Sequence, residues 1–197
     1  MANASITKNI LFIGHVDQGK TTLKKALQTV LDARYGLSND FGYMIDNCCY
    51  RIIDISSDSE ILEYIAQHGN EIDVAVFVCS IAGVDNAMDH EQLKLCNKYG
   101  IKIACAYMSQ VTEDADEFMI DFLDNDIYAF VGSSGHPNTV KLTEEMTTSY
   151  SASGSLFEHK NCPILHGDSE KAIIDPFSAY GDVMVRLVHY IKVAIFG

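Results

Sequence analysis

Short, almost wholly apolar runs alternate along this chain with longer stretches in which apolar residues recur every three or four positions. Residues 9–13 form the first run, and residues 20–34 follow with Leu23, Ala26, Leu27, Val30 and Leu31 at the spacing of one helical face. The runs at 51–55 (RIIDI), 74–81 (VAVFVCSI), 101–108 (IKIACAYM) and 127–131 (IYAFV) predict further strands, the middle two buried on both faces. Residues 60–68, 90–99, 114–123 and 180–196 predict helices. Strand and helix in alternation imply an α/β fold: a doubly wound, mostly parallel sheet flanked by helices in three α/β/α layers.

The stretch 132–163 breaks the alternation. It is rich in Ser and Thr, with a short helix expected at 140–146, and reads either as a tolerated insertion or as a partner-binding arm. With 197 residues the chain has the length of one well-buried domain, 1–197, carrying that arm. Its charge, 14 basic against 27 acidic residues for a net −13, argues against a nucleic-acid or anionic-membrane surface, because the Lys and Arg are scattered singly apart from the adjacent Lys24 and Lys25. Any phosphate must be held locally. No apolar run reaches membrane-spanning length, and the first ten residues lack the basic start and long apolar stretch of a secretory signal, so a soluble, cytoplasmic protein is expected.

Such a local site is present at 14–21, where Gly14-His15-Val16-Asp17-Gln18-Gly19-Lys20-Thr21 fits G-x-x-x-x-G-K-[ST] between a predicted strand and a predicted helix. Glycines let the backbone turn tightly enough for its N–H groups to converge on a phosphate, and the helix N-terminus adds partial positive charge. Lys20 is the candidate for the β- and γ-phosphates, and the Thr21 hydroxyl for Mg²⁺. Thr22 extends the loop set.

The segment GHVDQGKTTL resembles the phosphate-loop signature of translational GTPases. TVLDARYG (29–36) resembles the end of the first helix in the nucleotide-binding domain of elongation factor Tu, and MIDN (44–47) the opening of its first switch. The likeness covers about the first two thirds of the chain, and 197 residues leave no room for the β-barrel domains that follow in that family. It implies a P-loop GTPase-like fold binding GTP or GDP with Mg²⁺, Thr21 ligating the metal and Asp54 standing behind its direct ligands.

The chain also departs from the family. The switch threonine expected after Asn47 has no counterpart, since Cys48-Cys49-Tyr50 runs almost straight into the next strand. The family's Asp-x-Pro-Gly-His corresponds to Asp54-Ile55-Ser56-Ser57-Asp58, which keeps the aspartate but puts Ser57 for the glycine and Asp58 for the water-orienting histidine. A carboxylate there would repel a hydroxide-like nucleophile. The guanine-reading Asn-Lys-x-Asp corresponds to Ser109-Gln110-Val111-Thr112, and the single hydroxyl of Thr112 cannot accept two hydrogen bonds from guanine; Glu113 or Asp114 is the alternative. The family's last loop falls on Gly132-Ser133-Ser134, with Gly167-Asp168-Ser169 as the alternative; Ser133 and Ser134 are the preferred nucleotide contacts.

These departures leave three readings open: a GTP/GDP-binding protein with weak or partner-dependent hydrolysis, a pseudo-GTPase acting as a protein-interaction module, and a phosphate-loop protein for ATP or ADP. No catalytic residue is assigned. His15 reads as a structural part of the loop, and the other histidines are dispersed without ligand spacing. Asp85, Asp89 and Glu91 read as a solvated helix start, and the six cysteines, without a C-x-x-C pair, as reduced and mostly buried thiols.

Overall fold

A computed structural model describes residues 6–80, 87–109, 117–123, 126–132, 138–141 and 164–197. Its first unit is β1 (Ile6–Ile13), a glycine-rich loop and α1 (Lys20–Tyr35). Leu23, Ala26, Leu27, Val30 and Leu31 are all buried on the expected face of α1. The helix stops at Gly36, whose left-handed backbone (φ 63°) lets its N–H bond back to the Asp32 carbonyl while the Leu37 N–H reaches that of Leu31.

A hairpin follows: β2 (Gly42–Ile45) turns through Asp46 and Asn47, both at positive φ, into antiparallel β3 (Cys48–Asp54). Two left-handed residues are what a two-residue hairpin turn of matching twist requires. Tyr43 and Tyr50 face each other in this register and stack with ring centroids 4.8 Å apart. The chain continues through α2 (Asp58–His68), a single 3₁₀ turn (Gly69–Glu71), β4 (Val74–Ser80), α3 (Ala87–Lys98) and β5 (Lys102–Ser109). After β6 (Glu117–Leu123), β7 (Asp126–Gly132) and β8 (Asn138–Lys141) come β9 (Ile164–Gly167), α4 (Ser169–Ile174) and α5 (Ala179–Phe196).

Six strands form one sheet in the order β2-β3-β1-β4-β5-β9, parallel except at the β2–β3 edge. Alternate residues of its central strands feed two cores. Ile10, Phe12, Val74, Val76 and Val78 pack with α1, α4 and α5, whereas Leu11, Ile13, Ala75 and Phe77 pack with α2 and α3. The doubly wound α/β fold is thereby established, with helices on both faces. No helix among the described residues is long and apolar enough to cross a membrane.

Three expectations are corrected. The helix expected at 114–123 is instead strand β6 over Glu117–Leu123, paired antiparallel with β7. Phe118, Ile120 and Phe122 recur with period two and favour strand, whereas Glu117 and Asp121, four positions apart, mimic the polar face of a helix. The strand expected at 127–131 exists as β7, but it lies in a separate antiparallel sheet, β6-β7-β8, and the edge position beside β5 belongs to β9. Val140 and Lys141, expected to open a helix, are in β8, paired with Ala129 and Tyr128; the rest of 140–146 lies outside the described residues.

Candidate functional site

The glycine-rich loop leaves the sheet where β1 runs between β3 and β4. Gly14 has φ +133°, and a Cβ built on it would lie 2.0 Å from the Val78 carbonyl oxygen, so only glycine lets the loop start this close to β4. Asp17 and Gly19 also take positive φ, 63° and 91°, which curls the chain before α1 begins at Lys20. Lys20 is 4% exposed, and its ammonium donates to the carbonyls of Gly14 (2.8 Å) and His15 (2.9 Å). In front lies an open cavity of about 280 Å³ lined by Val16, Asp17, Gly19, Lys20, Thr21, Thr22 and Ser56.

Most of the expected loop set therefore lines one cavity. Gly14 and His15 do not line it, and Gln18 closes a turn by donating its N–H to the His15 carbonyl. Asp54 ends β3, and its Oδ1 is buried without a hydrogen-bond partner among the described residues. Asp54 does not itself line the cavity, but an orphaned carboxylate oxygen at the end of the strand next to the loop has the chemistry to meet a hydrated cation. Among the described residues no cluster of three or more His, Cys, Asp or Glu side chains offers a different metal site.

Sequence reasoning assigned no role to two residues here and a different role to a third. Ser56 lines the cavity from the β3–α2 connection. Gln92, wholly buried on α3, accepts the Gly14 N–H at 2.7 Å through Oε1. Asp58, the first residue of α2, holds His15 Nδ1 with one carboxylate oxygen and faces the Gln92 amide at 3.5 Å with the other. A signal for Gln92 was present, because it is a polar residue beside Leu93 and one turn before Cys96, both buried on the same helix.

Ser133 and Ser134 lie outside the described residues, as do residues 110–116. The alternative segment Gly167-Asp168-Ser169 sits after β9, beside β5. Ser169 is buried with its hydroxyl 2.9 Å from that of Tyr107, and the Asp168 side chain caps α4 by accepting the Lys171 N–H. Burial pushes the Tyr107 hydroxyl up to about 12 and the Cys96 thiol to about 12, so both are neutral near neutral pH. Cys48, Cys96 and Cys105 are buried and outside any disulfide, as is the half-buried Cys49.

Fold and loop together define an α/β protein of P-loop GTPase-like architecture. Its structure is similar to that of translation elongation factor SelB from Methanococcus maripaludis, in the apo form, with a TM-score of 0.54 and 15% sequence identity. The match covers 96% of this chain and 34% of that one, so this chain spans about a third of the length of its structural neighbour. The likeness is one of fold. No family model matches the sequence.

Proposed function

We propose that this chain is a nucleotide-binding protein of the translational GTPase type, holding GTP or GDP with Mg²⁺ on residues 14–22. The observation that supports it most is the strand–loop–helix unit itself. Its two glycines stand at positive φ, and Lys20 sits at the back of a cavity that Thr21 and Thr22 also line. A helix N-terminus with a bent loop before it supplies amides and a dipole for an anion, and Lys20 supplies the charge-assisted donor. Bound Mg²⁺ would neutralise phosphate charge there, with Thr21 and Asp54 as its holders.

Hydrolysis in this reading is weak or depends on a partner. The hairpin turn Asp46-Asn47 joins β2 to β3 directly, which leaves no segment there to close over a γ-phosphate. Asp58, at the position of the family's water-orienting histidine, is engaged with His15 and Gln92. The same observations favour a second reading, a pseudo-GTPase that keeps the binding fold as a protein-interaction module without turnover. The cytoplasm is the compartment in either case.

Titrating the purified chain with fluorescent GDP, GTP, ADP and ATP in the presence of Mg²⁺ tests the proposal. Saturable guanine-nucleotide binding that is weakened at least tenfold in Lys20→Ala supports it. No binding of any of the four overturns it, and binding confined to ADP and ATP moves the chain to a different nucleotide class.

A further inference from the structure

Two residues outside the cavity control the loop from behind. The Gly14 N–H is buried at a backbone turn where no strand partner takes it, and it is satisfied by Gln92 Oε1 of α3 at 2.7 Å. The next residue, His15, is gripped through Nδ1 by Asp58 of α2, and the Gln92 amide approaches the other oxygen of the same carboxylate. None of Gly14, His15, Asp58 and Gln92 lines the cavity. Yet the carbonyls of Gly14 and His15 are the acceptors that hold the Lys20 ammonium, at 2.8 and 2.9 Å.

A line of contacts therefore runs from α2 and α3, through two loop peptides, to the one lysine in the cavity wall. We propose that Asp58 and Gln92 are positioning residues, forming a latch that fixes the Gly14 and His15 peptides and thereby sets where the Lys20 ammonium meets a polyphosphate. The latch rests on the nucleotide-binding reading for its consequence, although its geometry is independent of any ligand. The two helices that carry it pack against each other around Ile61, Ile65, Leu93 and Cys96. A displacement of either helix would reach the lysine through hydrogen bonds, although neither Asp58 nor Gln92 lines the cavity. The chemistry also gives Asp58 a purpose that a failed catalytic residue would lack: a carboxylate accepts from both an imidazole N–H and an amide, which histidine at this position could not do with one ring nitrogen facing each.

The test uses the full chain with Asp58→Ala, Asp58→Asn and Gln92→Leu, each alone and in a Lys20→Ala background. The first readout needs no nucleotide: hydrogen exchange of the Gly14 amide should accelerate at least tenfold in Gln92→Leu. The second is affinity for fluorescent GDP, which should fall at least tenfold in Asp58→Ala and Gln92→Leu, with Asp58→Asn recovering part of the loss. Because the latch acts through the lysine, the same substitutions should change affinity by less than about threefold once Lys20 is alanine, the non-additivity expected of coupled groups. A merely structural role would lower affinity by the same factor in both backgrounds, and that result overturns the proposal. So does an unchanged Gly14 amide together with unchanged GDP affinity. If Gln92→Leu does not fold, Asp58→Ala and Asp58→Asn carry the cycle alone, since the Asp58 side chain is partly exposed. A parent chain that binds no nucleotide refutes the functional reading, while the Gly14 exchange result still decides whether the latch exists.

Discussion

Replacing Gly14 with alanine should cost far more stability than the same change at Gly36, although both glycines stand at positive φ. At Gly36 a Cβ meets nothing within 4 Å, and φ is +63°, so the penalty is the left-handed conformation alone, about 1 kcal/mol. At Gly14 φ is +133° and a Cβ would sit 2.0 Å from the Val78 carbonyl oxygen, a backbone atom inside a parallel ladder. The strained backbone costs about 1–3 kcal/mol, and relieving the overlap by parting β1 from β4 or shifting the loop costs about 1–3 kcal/mol more. The sum is centred near 4 kcal/mol. For a domain of this length each kcal/mol lowers Tm by roughly 2–4 °C, so Gly14→Ala should melt about 8–16 °C below the parent and Gly36→Ala about 2–4 °C below. Calorimetry and urea unfolding of the three proteins at one pH measure the difference. A Gly14→Ala protein no less stable than Gly36→Ala would refute the close packing of the loop on β4, and with it the account of why the loop begins with glycine.

Four further outcomes are expected. Lys20→Ala should weaken di- and triphosphate binding at least tenfold, about 1.4 kcal/mol, as read by fluorescence titration; parental affinity would place the site elsewhere. The ratio of GTP to ATP affinity should stay below about a thousand, since a hydroxyl at Thr112 lacks the bidentate acceptor on which strong base discrimination depends; a higher ratio in competition titrations would point to Glu113 or Asp114. Multiple-turnover hydrolysis by the isolated chain should be very slow, and Asp58→His should not rescue it, because that change also removes the carboxylate holding His15; efficient turnover lost in Lys20→Ala would contradict this. Stability should fall on the alkaline side. Tyr107 and Cys96 are both raised by burial to about 12 from ordinary values of 10.0 and 9.0, so the fold favours their neutral forms, and that contribution is complete below about pH 9 and lost as pH climbs toward 12. A urea midpoint independent of pH from 8 to 11 would rule out that linkage.

Much of the main sheet could be read from the chain because its central strands are buried on both faces and so appear as unbroken apolar runs. Residues 10–13 and 74–78 are wholly buried, as such runs require. The helices were legible for the complementary reason, each presenting one apolar stripe. Where the reading failed, two periodicities competed. Residues 117–123 alternate in twos but carry acidic residues at positions that also suit an amphipathic helix, and pairing with β7 decided for strand. The edge strand β9 is only four residues long, and its identity as the neighbour of β5 is a fact of long-range pairing that no local pattern carries. The hairpin turn at Asp46-Asn47 passed as a switch opening because Asp and Asn tolerate a left-handed backbone without announcing it as glycine does.

The site divides along the same line. Residues 14–22 were legible because the chemistry of a bent anion-binding loop demands particular residue types at fixed spacing, and that demand is local. The latch was not, because its partners come from three separate elements and are 43 and 78 residues apart in sequence. Their arrangement changes what Asp58 means. Read as a sequence, it is a repulsive carboxylate where a water-orienting group should be; in the fold its oxygens are turned to His15 and Gln92 and thus committed to holding the loop. A ligand shifts a conformational equilibrium only by its differential affinity for the two states. Here the β2–β3 connection is a two-residue turn, and the first residue of α2 is fastened to the loop by its own side chain. Among the described residues between β2 and α2, little is left that could prefer one conformation with a diphosphate and another with a triphosphate. Similar affinity for GDP and GTP, with closely matching hydrogen-exchange patterns in the two complexes, is what this geometry requires. A large difference in exchange at residues 42–58 between the two complexes would mean that the hairpin and the latch open, and that the chain switches by a route its resting structure does not display.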